Sequence, residues 1–403
     1  MSLLLALTLA AQGTMVSADC SERLCNPRAL GPFVEQLAQA DNSPVHIVQI
    51  GDSHTAGDMI TEGWRSAWRG RYRYGGRGVL PAGRPYGGFI SWGVTGFQGS
   101  GWNVNGIFGR VWNEGGPSVG LSGFTQTASV AGSSIGVTAD SDDQTFDRTI
   151  VCGLTGPDQG AVQIELGYSS ATVTFASDRR GARCETVDSP NLVASAAVTT
   201  LTDQPVSITS IGTFRKSGGL SISNLGVSGS QWRHQSRIDD AVAEAELRAW
   251  APDLIVIAFG TNEGFTIGFD YADYERTVRE QVTRMRRLAG RNVPMLLIGA
   301  PDAATRNMAI ASNGIAPPVP CGEGWASPGL LADIRERQRA LALRLGLAYW
   351  DWNAAMGGAC SIRSWRQQGW ARGDHVHFTR AGGAQIGNRL ADDLATAARS
   401  MRN

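Results

Sequence analysis

The sequence predicts an α/β protein: a doubly wound parallel sheet interrupted by an all-β sandwich. Three observations carry this. Short, largely apolar runs, Val45–Ile50, Asp253–Gly260 and Val293–Ala300, read as strands buried on both faces. Helical patterns alternate with them, as crossover connections of a parallel sheet require. The middle, from about Val104 to Ile222, is instead rich in Ser, Thr, Val and Gly. It carries short alternating runs such as Ala161–Leu166, Ala171–Phe175 and Val206–Ile211, with turn signals between them at sandwich spacing. At 403 residues the chain has room for two or three domains on a prior of about 150 residues each. The expected division is an α/β part over 19–103 and 223–403, with a β-sandwich insert over 104–222.

Taken in order, the chain opens on M-S-L-L-L-A-L-T-L-A-A, an apolar run too short to span a bilayer, followed by the small residues Val16-Ser17-Ala18. Residues 1–18 therefore read as a signal peptide and the protein as exported, periplasmic or secreted. Asp19 before Cys20 does not suit a lipoprotein acceptor, so neither a lipid anchor nor a membrane-spanning segment of the mature chain is expected. Six cysteines in an exported chain favour disulfides, and sequence proximity pairs Cys20 with Cys25, Cys152 with Cys184 and Cys321 with Cys360. No CxxC or His/Cys cluster suggests zinc, and neither a metal nor another cofactor is expected. With 36 basic and 36 acidic side chains, there is no net field to attract nucleic acid or an anionic membrane.

The strand Val45–Ile50 stops at Gly51, and the stretch G-D-S-H-T-A-G-D leads into a helical pattern over Met59–Arg71. Ser53 thus falls at a strand-to-helix turn above the carboxyl edge of the sheet, where open α/β folds place their sites and where helix-start N–H groups receive negative charge. It is the candidate nucleophile, although Ser and Asp also favour such turns simply as helix caps. A Gly-rich stretch, Tyr74–Gly101, reads as a long loop. After the β-rich middle, Leu225-Gly226-Val227-Ser228-Gly229-Ser230 precedes a helical pattern over Ile238–Trp250, and Gly229 could present a bare backbone N–H. Gly260-Thr261-Asn262-Glu263 follows the next strand directly, so the Asn262 amide can reach the same edge. Tyr271–Ala289 and Leu330–Leu345 read as helices, Leu347–Trp352 as a short strand and Arg380–Arg402 as the closing helix.

Just before that last helix stands Asp374-His375-Val376-His377-Phe378. Asp374 and His377, three apart, can share one side with an Asp–imidazole hydrogen bond while His377 reaches Ser53, supplying orienter, base and nucleophile. His375 is the rival base, disfavoured because its neighbour Asp374 cannot easily face the same way. Other features compete for a role. Gly132-Ser133-Ser134-Ile135-Gly136 fits Gly-x-Ser-x-Gly but lacks the helix the elbow needs. Asp140, Asp142, Asp143 and Asp147 could hold calcium but lack the Gly and terminal Glu of a calcium loop. His54 and Asp58 flank Ser53 as pocket residues or helix-start charges, and Trp92 and Trp102 are candidate sugar platforms.

Gly-Asp-Ser near the start, a Gly in the middle, Gly-x-Asn after a strand and Asp-x-x-His near the end, in that order, resemble the SGNH (GDSL-type) hydrolase family over roughly Pro44–Gly101 and Leu220–Arg402. The resemblance implies a flavodoxin-like three-layer fold. It implies Ser53, Asp374 and His377 as the catalytic residues, and Ser53, Gly229 and Asn262 as oxyanion donors. Glu263 stands where the family's third block usually has Asp. More narrowly, G-D-S-H-T-A-G-D, L-G-V-S-G-S-Q, G-T-N-E and D-H-V-H-F-T are similar to bacterial peptidoglycan O-acetylesterases and their O-acetyltransferase relatives, some of which carry an inserted sandwich resembling a carbohydrate-binding module. That implies an O-acetylated glycan as substrate and a serine esterase acting through an acetyl-enzyme. The alternatives are an O-acetyltransferase using the same residues and an inactive glycan-binding protein. The polar loop 74–101 offers no lipase-type lid.

Overall fold

A computed structural model describes residues 19–402, and the expected signal peptide over 1–18 lies outside the described residues. Six strands form the central sheet: β1 (Leu24–Cys25), β2 (Pro44–Gly51), β3 (Gly219–Gly226), β4 (Leu254–Ala258), β5 (Met295–Ile298) and β6 (Ala348–Trp350), in the spatial order β1-β6-β5-β4-β2-β3. β2 to β6 run parallel, and β1 pairs antiparallel at the β6 edge. This is the doubly wound sheet that the apolar runs predict. β1, two residues long, is too short to show any periodicity in the sequence.

Alternation along the strands explains why both faces are apolar. Val48, Ile50, Ile255, Ile257, Leu297 and Tyr349 enter one core with Leu247, Val278, Val282 and Leu341. Val45, Ile47, Leu254, Val256, Leu296 and Trp350 enter the other with Trp64, Trp68, Ile386 and Leu390. On this second face helix Met59–Trp68 crosses helix Arg380–Arg402 at a point of missing side chains. A Cβ on Gly387 would stand 2.4 Å from the Trp64 nitrogen, and one on Gly63 2.7 Å from the Ala384 Cα. The two helices therefore meet backbone to backbone, which fixes the position of the Asp374–His377 loop against the helix that follows Ser53.

Between β2 and β3 the chain builds two antiparallel sheets. One has the order 169–174, 161–166, 195–200, 134–139, 94–98. The other runs 181–193, 146–155, 206–214, 124–128, 103–106, with Gly78–Leu80 also paired to 206–214. Their facing sides enclose a core of Leu80, Val94, Ile135, Phe146, Val162, Ile164, Phe175 and Ile208. The outer side of the second sheet adds Val79, Ile150 and Phe214 to the first core of the central sheet, so strand Val206–Phe214 is buried throughout.

The strands of these layers extend from Gly78 to Phe214, whereas Gly219–Gly226 belongs to the parallel sheet. The β-rich region so starts well before 104, and the stretch Tyr74–Gly101, expected as a loop, contains strands Gly78–Leu80 and Val94–Gln98. Several of the glycines that suggest a loop serve close packing here: a Cβ on Gly78 would stand 2.4 Å from the Ser223 Oγ, and one on Gly96 2.4 Å from the Gly83 carbonyl oxygen. Trp102 is a core residue of these layers and donates its indole N–H to the Ser134 carbonyl at 3.0 Å, which removes it as a sugar platform.

The disulfides pair Cys20–Cys25, Cys152–Cys184 and Cys321–Cys360, as proximity in sequence predicts. Cys152 and Cys184 are cross-strand neighbours in register. No described helix is long and apolar enough to cross a membrane.

Glu246, on helix Asp240–Trp250, ties that helix to the β layers. Its carboxyl accepts from the Leu121 N–H at 2.7 Å, the Thr209 hydroxyl at 2.7 Å and the Ser210 hydroxyl at 3.0 Å. Burial pushes it up to about 7, against the pull of those donors. The folded state then holds a proton that the unfolded chain has released above its ordinary carboxyl value. Between about pH 4.5 and 7 stability falls as pH rises, by about 3 kcal/mol from this group. Urea unfolding at a series of pH values should show this decline, and Glu246→Gln, which cannot ionise, should make it shallower by this group's share.

Candidate active site

β2 ends at Gly51, which in register faces Gly226 of β3 on one side and Ala258 of β4 on the other. The segments carrying Ser53, Gly229 and Asn262 therefore leave the sheet side by side at its carboxyl edge, the position expected of an open α/β site. Asp52 caps the short helix Ser53–Ala56 by accepting the His54 N–H at 2.9 Å, which leaves Ser53 as its first residue. The Ser53 Oγ lies 2.9 Å from the His377 Nε2, and the His377 Nδ1 lies 2.9 Å from the Asp374 Oδ2. Asp374 is fixed in turn by the N–H groups of Val376 at 2.9 Å and His377 at 3.0 Å on its other oxygen. Partial burial opposes its charge, but those N–H groups and the imidazole hold the carboxyl below its ordinary value.

His375 is turned away. Its backbone is left-handed at φ 57°, its ring packs 3.9 Å from Trp325, and its Nδ1 and Nε2 meet the Gly373 carbonyl and the Arg363 guanidinium. Gly229 has φ 80°, and a Cβ there would stand 2.5 Å from the Phe108 ring, so the position admits only glycine. The Asn262 amide donates to the Ser230 carbonyl at 2.9 Å and lies 3.5 Å from the Asp52 Oδ2. A cavity of about 250 Å³ opens over Ser53 and His377, bordered by Tyr86, Ile90, Ser228 and Arg372, among others. Gly229 and Asn262 stand at the same edge without lining it.

Glu263 has a defined task. Its buried carboxyl accepts from the Trp232 N–H at 2.9 Å and the Gly260 N–H at 3.1 Å, bridging the turns that carry Gly229 and Asn262. Burial pushes it up to about 7, opposed by the same N–H groups. A longer side chain than Asp spans both turns here.

Asp58 neither lines the cavity nor caps a helix with its side chain; its backbone is left-handed at φ 55°. It is the centre of a buried ion cluster, with Arg65 at 2.6 Å, Arg77 at 2.8 Å and the Trp92 N–H at 2.7 Å. Burial disfavours its charge, but Arg65 and Arg77 outweigh that and lower its pKa. Asp58→Asn leaves two guanidiniums buried with one counter-charge fewer, and unfolding in urea should show a loss of roughly 3–5 kcal/mol. Trp92 is held by this cluster, and the Arg380 guanidinium lies 3.9 Å over one face of its ring.

The remaining competitors resolve structurally. Ser134 opens a strand and Ser133 is buried in the turn before it, with no helix following. Asp140 accepts from Thr95, and Asp147 accepts from the Lys216 N–H. Among the described residues no group of three His, Cys, Asp or Glu side chains converges as a metal site.

Residues 212–385 match the model of the GDSL-like lipase/acylhydrolase family. The match includes Gly229, Asn262, Asp374 and His377 and begins beyond Ser53, which the β layers separate from the rest. The structure is similar to that of a peptidoglycan O-acetylesterase, with TM-score 0.74 and 25% identity over 92% of this chain and 96% of the other. A lipase/acylhydrolase from Enterococcus faecalis, 18% identical over 44% of this chain and 76% of its own, aligns with TM-score 0.31. A family two carbohydrate esterase from Clostridium thermocellum, 11% identical over 73% of this chain and 98% of its own, aligns with TM-score 0.28. No curated protein sequence matches the chain.

Proposed function

We propose that this protein is an exported serine esterase that removes O-acetyl groups from a polysaccharide, with peptidoglycan as the foremost substrate. The observation that carries the reading is the unbroken Ser53–His377–Asp374 chain, two contacts of 2.9 Å at the edge of the sheet. His377 takes the proton from the Ser53 hydroxyl as its oxygen attacks the acetyl carbonyl, and Asp374 holds the imidazole in the required orientation. The N–H groups of Ser53 and Gly229 and the Asn262 amide receive the oxyanion. The sugar alcohol leaves with the proton from His377, and water attacks the acetyl-enzyme by the same route in reverse.

The cavity of about 250 Å³ suits a small acyl group on a larger, solvent-exposed glycan. Similarity to the peptidoglycan O-acetylesterase, at 25% identity over nearly the whole chain, supports that substrate over xylan. Three disulfides accord with export. The two antiparallel sheets form an inserted domain of the carbohydrate-binding-module type, in this reading a second contact for the glycan.

Acetate release from O-acetylated peptidoglycan compared with O-acetylated xylan tests the assignment. Faster release from peptidoglycan is expected, and faster release from xylan would reassign the substrate. Acetate release that drops when a glycan acceptor is added, with acetylated acceptor appearing in its place, would make the protein a transferase.

A further inference from the structure

His54 follows the candidate nucleophile directly, is buried, and takes part in neither of the two contacts of the Ser53–His377–Asp374 chain. Its surroundings constrain its charge. The Nδ1 lies 3.2 Å from the Asp52 Oδ1, and the Nε2 lies 3.0 Å from the Val376 carbonyl oxygen. A carbonyl only accepts, and so does an ionised carboxylate. Both ring nitrogens must then carry hydrogen, which makes the ring an imidazolium paired with Asp52. The Thr261 hydroxyl, at 3.4 Å from Nδ1, is the more distant neighbour. The other groups against the ring are Trp352, Phe378 and His377, the last with ring centroids 5.4 Å apart, and Asp374 acts on it at longer range. Burial disfavours the charge, but Asp52, the Val376 carbonyl and Asp374 outweigh it and raise the pKa.

The Val376 carbonyl belongs to the residue immediately before His377. Asp52, on its side, caps the helix of Ser53 and reaches toward the Asn262 amide at 3.5 Å. One ion pair therefore joins the Ser53 turn, the His377 loop and the Asn262 turn. We infer that His54, as a buried imidazolium on Asp52, is a positioning residue that locks the His377 loop in register with Ser53 by donating to the Val376 carbonyl. Loss of either ring proton breaks the lock: without the one on Nε2 the carbonyl is unpaired, and without the one on Nδ1 Asp52 is a buried anion with no cation.

The inference rests on the esterase reading, and the experiments separate the two. In the full-length protein, ¹⁵N chemical shifts of the His54 ring should report a doubly protonated imidazolium at pH 7; a neutral ring there would overturn the inference whatever the activity. The kcat profile should decline on the alkaline side as this proton is lost. In His54→Gln, whose amide can donate to Val376 without titrating, that decline should disappear. His54→Ala should lower kcat at least tenfold with KM little changed. A kcat profile in His54→Gln identical to that of the unaltered protein would also sink the idea. If instead Ser53→Ala stays active, the esterase reading fails first and independently of the ring's charge.

Discussion

Ser53→Ala should fold normally and lose ester turnover by on the order of a million-fold, the scale seen when a serine nucleophile is removed from an intact triad. The side chain is half-buried, starts a helix that Asp52 caps through the next residue's N–H, and carries no packing load that alanine would fail to supply. Circular dichroism and the unfolding midpoint should therefore be unchanged while acetate release from an aryl acetate and from O-acetylated peptidoglycan both vanish. The same variant should resist labelling by a serine-directed fluorophosphonate, which the unaltered protein should accept. Near-normal acetylesterase activity in Ser53→Ala would remove the mechanism altogether, whatever the substrate.

Asn262→Ala should lose roughly 10²–10³-fold in kcat, equivalent to about 2.7–4 kcal/mol, the cost of one oxyanion donor. KM should move little, because the donor is needed where charge develops and not in the bound ester. The Asn262 amide also donates to the Ser230 carbonyl, so truncation loosens the neighbouring turn as well. That contribution is separable: it acts on the unfolding midpoint, whereas the oxyanion contribution acts on kcat alone. A variant with unchanged kcat would take Asn262 out of the chemistry and leave the oxyanion to backbone N–H groups.

Much of this arrangement is legible in the sequence because it depends on continuous signals. The buried strands β2, β4 and β5 appear as predominantly apolar runs, and the three-residue spacing of Asp374 and His377 already implies a shared side. The burial of Trp102 and the strands within the Gly-rich stretch escape, because glycine at a strand contact looks the same as glycine at a turn. In the sequence Asp58 reads either as a pocket residue or as a charge at a helix start. Its partner Arg77 lies beyond a helix and a turn, and only the folded chain brings both onto the carboxylate. His54 and Glu263 escape for a related reason. Each is held by a backbone group of a distant segment, Val376 for His54 and Trp232 for Glu263, and a backbone group leaves no residue signature in a sequence.

The pairing of Gly78–Leu80 with strand Val206–Phe214 bears on how the molecule assembles in time. β2 and β3 lie side by side, yet some 170 residues separate Gly51 from Gly219. Closing a loop of that length is entropically costly and slow. Once the β layers have formed, their first and last segments are already clasped, and only short tethers remain between that clasp and the two parallel strands. The interruption thereby becomes a scaffold for refolding: the antiparallel layers should gain protection from hydrogen exchange before the central sheet does, and Ser53 should meet Gly229 only after they have.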